Sequence, residues 1–215
     1  MFASSFLYLL TSTPLPLFYD LSIYVFKKKP ADLGIRPRIN NAGEEYLGLR
    51  SCNYAPNCFS SSIPLKDDPD HSIPPWVYPK DKTLEQAMED IYNVIQNYPP
   101  GQRNIDGGGF EIKTYDPKTG YLYVQFESLK NGYIDDFEAA YIKDTTTTNN
   151  NNNQIQIRSS SRVGYLDYGV NAKRIQYLTR ELHNNPKYGW TSLIDDDGVH
   201  ASTHKRYFIE NEVVD

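Results

Sequence analysis

Three arginines in the C-terminal third of the chain are the residues best suited to binding an anion. Arg158 and Arg162 are four residues apart in a segment that alternates like a strand, so their side chains share one side of it. Arg174 falls on the first turns of the helix that follows, close to the helix N-terminus. Guanidinium groups that converge at such a place would suit a carboxylate or a phosphate.

The same stretch also fits a purely structural role, which is the interpretation we favour from the sequence. Asp167 or Asn171 would cap the helix, and Asp167 would also pair with one arginine. Gly164 and Gly169 permit a tight connection between the strand and the helix. We therefore expect at least two of the three arginines to be paired internally, which leaves no open pocket.

Two cysteines, Cys52 and Cys58, flank the turn-forming pair Pro56 and Asn57. Such a turn can bring the two Cα atoms within about 7 Å of each other, which permits a disulfide. Two alternatives stay open, a reduced pair that is partly buried in the turn and a zinc site that borrows His71. Closed zinc sites use four ligands at shorter spacings, so no metal is expected, and neither state of the cysteine pair implies catalysis.

The chain lacks the short motifs that accompany common catalytic mechanisms. It contains no metalloprotease helix motif, nucleophile elbow, phosphate loop or dinucleotide fingerprint. Asp135, Asp136 and Glu138 could supply an acid/base pair because alternate residues of a strand share a face, but acidic residues on the wet face of a strand are commonplace. The net charge of -5 disfavours a nucleic-acid partner. The sequence therefore predicts a protein that is not an enzyme and has no cofactor.

The elements that would position these residues follow the order helix, four strands, helix. Residues 83–98 are amphipathic and begin with a capping box of Thr83 and Gln86. Alternating segments separated by turn residues predict an antiparallel four-stranded meander, with strands at 110–115, 121–126, 133–142 and 154–158. Residues 170–184 predict a second helix. Since two helices must cover one face of the sheet, the expected fold class is an α+β two-layer domain.

A long irregular arm is expected to precede this domain. Ten of the 14 prolines fall within the first 80 residues, where each disfavours regular structure. The arm is also more apolar than a solvated linker, and its side chains expected to bind a partner protein include Phe2, Phe6, Leu10, Leu17, Phe18 and Phe26. Residues 1–19 carry no charge, but Pro14, Pro16 and the absence of a basic start disfavour a transmembrane helix or a signal peptide.

The expected organisation is an arm over residues 1–50, an α+β domain over 51–190 and a C-terminal tail over 191–215. The polar tract 145–153 contains no apolar anchor and is expected to form an expanded loop between two strands.

Three sequence blocks, within roughly residues 50 to 185, resemble a known family. The first has Cys52, Pro56, Asn57, Cys58, Ser60 and Ser61, and the second has Phe137 and Ala139. The third and most specific has Arg158, Ser159, Ser161, Arg162, Gly164, Asp167, Gly169, Asn171, Arg174 and Ile175. Together they resemble the domain of unknown function 1499 (DUF1499) family. The resemblance implies a fold and, for the plastid members in plants and algae, a compartment, but no reaction.

These observations lead to two functional hypotheses. The first is a non-catalytic accessory or assembly subunit, docked through its apolar arm on other protein subunits of a larger complex. The plastid distribution of the resembling family and the polar tract suggest a thylakoid photosynthetic complex such as a photosystem, with the protein peripheral to the membrane. The alternative is a binding module for a small anionic or lipophilic ligand, held between helix and sheet near Arg158, Arg162 and Arg174.

Overall fold

The structure is a computed structural model that describes residues 28–40, 43–52, 57–64, 66–143, 153–164 and 168–190. Several sequence predictions concern residues outside these ranges. They are the apolar side chains from Phe2 to Phe26, most of the polar tract, Asp167 and the C-terminal tail.

Two helices and eight strands make up the described part of the chain. The helices are α1 (Leu84–Gln96) and α2 (Val170–Asn184), and a 3-10 turn spans Gln102–Asn104. The strands are β1 (Arg36–Ile39), β2 (Glu45–Gly48), β3 (Cys58–Ser60), β4 (Trp76–Val77), β5 (Gly109–Asp116), β6 (Tyr121–Glu127), β7 (Ile134–Tyr141) and β8 (Gln154–Ser161). The fold class is α+β, as predicted. Among the described helices, neither combines the length and the apolar character needed to cross a bilayer.

The main sheet has six antiparallel strands, so the prediction of a four-stranded meander is wrong. Strands β5 to β8 form the expected meander, but β3 and β4 both pair with β8 and extend the sheet beyond it. These two strands come from the proline-rich third of the chain and contain three and two residues. Strands this short show no alternation in a sequence, and for that reason the pattern missed them.

Regular structure also lies within the first 50 residues. Strands β1 and β2 pair as an antiparallel hairpin. Leu33 and Leu49, on either side of this hairpin, are buried against the rest of the chain. The Leu49 amide donates a hydrogen bond to the Ser62 hydroxyl at 3.2 Å. The described residues before position 50 are therefore anchored to the α+β domain at Leu33 and Leu49, while much of the hairpin stays exposed.

Both helices cover one face of the main sheet, which we call the inner face. The core on this face combines aromatic side chains of the sheet with aliphatic side chains of the helices, and Trp76, Phe137, Ile91 and Leu178 are all buried there. Thr83 and Gln86 form the predicted capping box at the start of α1. Burial of this apolar surface is the main contribution to the stability of the fold.

The opposite face of the sheet, which we call the outer face, is polar and yet largely buried. Strand β7 runs between β6 and β8, and every residue of β7 except Tyr141 is buried. The prediction of a wet face on this strand is wrong because residues near positions 30–34 and 50–52 close over it. The amide of Gly34, for example, donates to Glu138 Oε1 at 2.6 Å.

The far edge of the main sheet is β5, which among the described strands pairs only with β6. The register between β5 and β6 shifts between Ile112 and Thr114. This shift leaves Lys113 as an extra residue in a β-bulge.

Candidate functional site

The structure divides the three arginines between the two faces of the sheet. Arg158 of β8 lies on the outer face, and Arg162, just after the strand, lies on the same side. Arg174 belongs to α2, which packs on the inner face. The strand alternation was interpreted correctly, but the helix covers the opposite face, so the three guanidinium groups do not converge.

Arg174 is fully buried and fully occupied by internal partners. Its guanidinium donates to both carboxylate oxygens of Asp106, and Nη2 donates to Asp135 Oδ2 at 2.7 Å. Nη1 donates to the Ser159 hydroxyl at 2.9 Å and to Asn171 Oδ1 at 2.8 Å. Such a network matches every donor of a buried charge, so Arg174 has a structural role.

Asn171 belongs to the same network and does not cap α2. Its Nδ2 donates to the backbone carbonyl of Asn57 at 3.1 Å and to the Ser161 hydroxyl at 3.0 Å. The Ser159 hydroxyl donates to Asn171 Oδ1 at 2.6 Å. The N-cap position is occupied by Gly169, whose φ of 75° lies in the left-handed region that favours glycine. Asn171 therefore ties the start of α2 to the sheet.

Arg162 is also paired, in this case on the outer face. Its Nε and Nη2 donate to the two carboxylate oxygens of Asp136 at 2.9 and 2.7 Å, which is a bidentate pair. Nη2 also donates to the Tyr123 hydroxyl at 3.0 Å. Two of the three arginines thus have strong carboxylate partners inside the protein.

Arg158 differs from the other two because its charge is poorly matched. The residue is only 4% exposed, and its Nε has no hydrogen-bond partner among the described residues. The nearest carboxylate contact is from Nη1 to Glu138 Oε2, at 3.7 Å. The other oxygen of Glu138 already accepts hydrogen bonds from the Tyr121 hydroxyl at 2.8 Å and from the Gly34 amide. Arg158 is therefore a buried cation with unused donor capacity.

The electrostatic environment distinguishes Arg158 in the same way. Burial lowers the pKa of Arg158, the charge of Arg50 lowers it further, and Glu138 offsets only part of this effect. Burial also acts to lower the pKa of Arg162, but the hydrogen bond and charge of Asp136 outweigh it, so this pKa is raised. At Arg174 the same competition ends in a raised pKa because Asp106 and Asp135 outweigh burial. Of the three arginines, only Arg158 thus has a pKa that is lowered overall.

A cavity of about 240 Å³ opens beside Arg158 on the outer face, and we call it the arginine pocket. It is lined by Pro30, Leu33, Arg50, Ser51, Cys52, Asn57, Asp136, Arg158, Ser160, Ser161, Arg162 and Gly164. The expectation that no pocket would be open here was wrong. The pocket has a basic floor on β8 and a partly apolar wall formed by the chain near positions 30 and 52.

Cys52 and Cys58 are joined by a disulfide at the wall of this pocket, with their Cα atoms 5.3 Å apart. His71, considered for a zinc site, instead has its Nδ1 within 2.7 Å of Asp68 Oδ1. Within the described ranges, no group of three or more histidine, cysteine, aspartate or glutamate side chains is arranged to hold a metal.

A second cavity, of about 200 Å³, lies beside the β1–β2 hairpin. Its lining includes the acidic residues Glu44, Glu45, Asp67 and Asp68 but none of the arginines. Asp68 contacts His71, so one of these four carboxylates already has a partner inside the protein.

The sequence did not indicate several residues that surround Arg174 on the inner face and Arg158 on the outer face. Asp106, the main partner of Arg174, follows the 3-10 turn and belongs to no periodic segment, so no pattern indicated its burial. Arg50 lay in the presumed irregular arm, although the structure places it at the arginine pocket. The alternation of Asp136 and Glu138 with Phe137 was the one available signal that acidic groups share the face of Arg158.

Comparison with known proteins adds a family assignment. A family model described as "Protein of unknown function (DUF1499)" matches residues 48–182, which is more than half of the chain. The matched range includes both cysteines and all three arginines. No curated protein and no solved structure matches the chain.

Proposed function

The chain belongs to the DUF1499 family of proteins of unknown function, and we propose that its folded body is a binding module for a small oxyanion. The observation that carries this proposal is the state of Arg158. This buried guanidinium lines an open cavity and has its nearest carboxylate contact at 3.7 Å, so a ligand in the cavity would bring the negative charge that this cation lacks.

The chemistry of the arginine pocket favours a carboxylate or a phosphate group. Both present several oxygens in a geometry that a guanidinium binds through parallel hydrogen bonds. Ser160 and Asn57 add polar groups at the same cavity. Since the cavity of about 240 Å³ is smaller than a pocket for a drug-sized molecule, a small ligand or a headgroup fits better than a polymer.

Binding accounts for the pocket better than catalysis does. Among the described residues that line it, Asp136 is the one acidic side chain, and both oxygens of this carboxylate accept hydrogen bonds from Arg162. Cys52 is held in a disulfide and offers no thiolate as a nucleophile. We therefore assign Arg158 the role of anion anchor and Arg162 and Asp136 the role of a rigid pair beside it.

Isothermal titration of the full chain with inorganic phosphate and with acetate, at constant ionic strength, tests the proposal. We expect at least one of the two anions to bind and Arg158→Gln to weaken that binding by at least about tenfold. Binding of phosphate alone would identify a phosphate group, and binding of acetate alone a carboxylate. Arg103→Gln is the matched control because it removes an exposed arginine that contacts Gln176 on the other side of the sheet.

Arg158 is buried, so thermal melting must show that the Arg158→Gln chain is folded. If it is not folded, Arg158→Lys replaces it, because a lysine keeps the charge but loses the bidentate geometry and should also bind more weakly. The proposal is wrong if wild-type chain binds neither anion, or if both Arg158 variants bind as tightly as wild type.

We also propose a second role, as an accessory subunit docked on a larger complex, with a plastid location at the thylakoid surface. The first 19 residues, which are uncharged and rich in apolar side chains, support the docking role, and the plastid members of the resembling family suggest the location. Native gel analysis of isolated thylakoid membranes should show the full chain migrating with a complex and a chain beginning at residue 28 migrating alone. A full chain that also migrates alone would count against this role.

A further inference from the structure

The arginine pocket contains a carboxylate as well as guanidinium groups. Asp136 of β7 lines the cavity together with Arg158 and Ser160 of β8. The strand register places Asp136 directly opposite Ser160, so Arg158, two residues along β8, is its diagonal neighbour. Diagonal neighbours on one face of a sheet are about 7–8 Å apart, within reach of long side chains. A small oxyanion that binds Arg158 in this pocket therefore also lies close to Asp136.

Asp136 has the capacity to accept one more hydrogen bond. Its Oδ1 accepts from the Tyr123 hydroxyl at 2.6 Å and from Arg162 Nη2 at 2.7 Å. Among the described residues, its Oδ2 accepts from Arg162 Nε alone, at 2.9 Å. A carboxylate oxygen has two lone pairs, so Oδ2 can accept a second hydrogen bond. Asp136 is only 2% exposed, and a ligand in the pocket is placed to supply that bond.

The charge of Asp136 limits which oxyanions the pocket can hold. An oxyanion on Arg158 brings its own negative oxygens towards this carboxylate, and like charges repel strongly away from bulk water. The repulsion is relieved when the ligand oxygen nearest Asp136 carries a proton, because that oxygen then donates a short, charge-assisted hydrogen bond. A ligand without such a proton leaves the repulsion in place.

We propose that the arginine pocket selects inorganic phosphate, as an oxyanion that retains a proton, and that Asp136 determines this selectivity. The inference rests on the proposed function and narrows its choice between a carboxylate and a phosphate. Arg158 binds unprotonated oxygens of the phosphate, and Asp136 Oδ2 accepts the hydrogen bond of the P–OH group. Ser160, beside Asp136, adds a hydroxyl that can donate or accept.

The same chemistry distinguishes free phosphate from other anions near neutral pH. Inorganic phosphate keeps at least one proton there, whereas acetate and sulfate keep none. A phosphate monoester loses its last proton at a pKa of about 6 and is then a dianion with no P–OH group. Free phosphate is therefore the ligand that supplies both the negative charge for Arg158 and the proton for Asp136.

Isothermal titration of the full chain near pH 8, at constant ionic strength, compares tetrahedral dianions that differ in this proton. Inorganic phosphate has a P–OH group, fluorophosphate has a fluorine in its place, methyl phosphate has a methoxy group, and sulfate has only unprotonated oxygens. We expect phosphate to bind at least about tenfold more tightly than each of the other three, because a site that binds a hydroxyl rejects an analogue without it.

Asp136→Asn tests the residue itself, because it keeps the side-chain size and removes the charge. The ratio of phosphate affinity to sulfate affinity should fall to about one, since sulfate is no longer repelled and the P–OH group loses its charged acceptor. Glu111→Gln is the matched control because it removes an exposed carboxylate on β5, at the far edge of the sheet, and should leave the ratio unchanged.

Thermal melting must show that Asp136→Asn is folded, because the substitution leaves Arg162 without its carboxylate partner. If the variant is not folded, Asp136→Asn/Arg162→Gln replaces it, because removal of both partners leaves no unmatched charge. The ratio of affinities stays the measured quantity, so a general loss of affinity does not affect the comparison.

The possible results separate this inference from the proposed function. If wild-type chain binds acetate alone, or binds sulfate, fluorophosphate or methyl phosphate as tightly as phosphate, the inference is wrong and the proposed function stands. If it binds neither phosphate nor acetate, the proposed function fails and the inference with it. A folded variant that keeps the wild-type ratio also overturns the inference, because Asp136 would not determine the selectivity. A preference for phosphate that the folded variant loses supports it.

Discussion

Two tyrosines on the outer face keep buried carboxylates in place. The Tyr123 hydroxyl donates to Asp136 Oδ1 at 2.6 Å, and the Tyr121 hydroxyl donates to Glu138 Oε1 at 2.8 Å. Burial, followed by the hydrogen bond and charge of the neighbouring carboxylate, raises the pKa of Tyr123 well above its usual value. Burial and the charge of Glu138 raise the pKa of Tyr121 likewise. Both phenols therefore act as neutral donors that hold the carboxylates beside the arginine pocket.

The raised pKa of Tyr123 predicts a loss of stability at alkaline pH. In the unfolded chain a tyrosine loses its proton near pH 10, whereas folded Tyr123 keeps its proton to higher pH. Above pH 10 the folded state thus binds more protons, so the free energy of unfolding falls as pH rises towards the folded pKa. Between pH 10 and 11 this contribution is ~1 kcal/mol, and Tyr123→Phe should lose that much less stability than wild type over the interval.

Urea denaturation at several pH values measures this difference. Tyr168→Phe is the control because Tyr168 is 88% exposed, and it should follow the wild-type pH dependence. Equal pH dependence in Tyr123→Phe and wild type would contradict the prediction. The lost hydrogen bond to Asp136 lowers stability at every pH and does not affect the comparison of slopes.

At the scale of elements, the sequence predicted what local pattern and capping determine. The capping box and the apolar face located α1, and alternation with turn residues located the four strands of the meander. Alternation also placed Arg158 and Arg162 on one side. Alternation could not show which face of the sheet α2 would cover. Arg174 was therefore wrongly predicted to lie near Arg158 and Arg162. Strands β3 and β4 exist only because β8 offers a free edge, and no local signal reports such pairing.

The start of α1 offers a test of local capping. Thr83 accepts a hydrogen bond from the Gln86 amide, and the Gln86 side chain accepts one from the Thr83 amide. Replacing Thr83 by alanine removes the first of these bonds and should lower the free energy of unfolding by ~1 kcal/mol. Thr83→Ser keeps a hydroxyl and should lose much less, as urea denaturation would show. If the serine variant lost as much as the alanine variant, the hydroxyl would not be the stabilising group.

At the scale of the whole molecule, a short segment before the hairpin covers part of the outer face. Leu33 is 5% exposed, and the Gly34 amide reaches Glu138 of the central strand. The segment is held in turn by Arg38, whose Nη2 donates to the carbonyls of Asp32 and Gly34 at 2.7 and 3.0 Å. The hairpin thus positions a cover for buried charges that the helices do not reach.

Two truncations that differ only by residues 28–34 test this cover. A chain starting at residue 35 loses the burial of Leu33 and the hydrogen bond to Glu138, whereas a chain starting at residue 28 keeps both. The shorter chain should be less stable by about 2–4 kcal/mol. Comparison of their urea midpoints measures the difference, and equal midpoints would show that the segment does not contribute.

The β-bulge at Lys113 has a consequence for how separate molecules meet. An open strand edge can recruit the strand of another molecule, which leads to aggregation. On β5 the extra residue interrupts the regular spacing of backbone donors and acceptors, and it is an exposed, charged lysine. At the other end of the sheet, β3 and β4 are too short to serve as long templates. Both margins of the main sheet therefore resist edge-to-edge pairing with a second molecule.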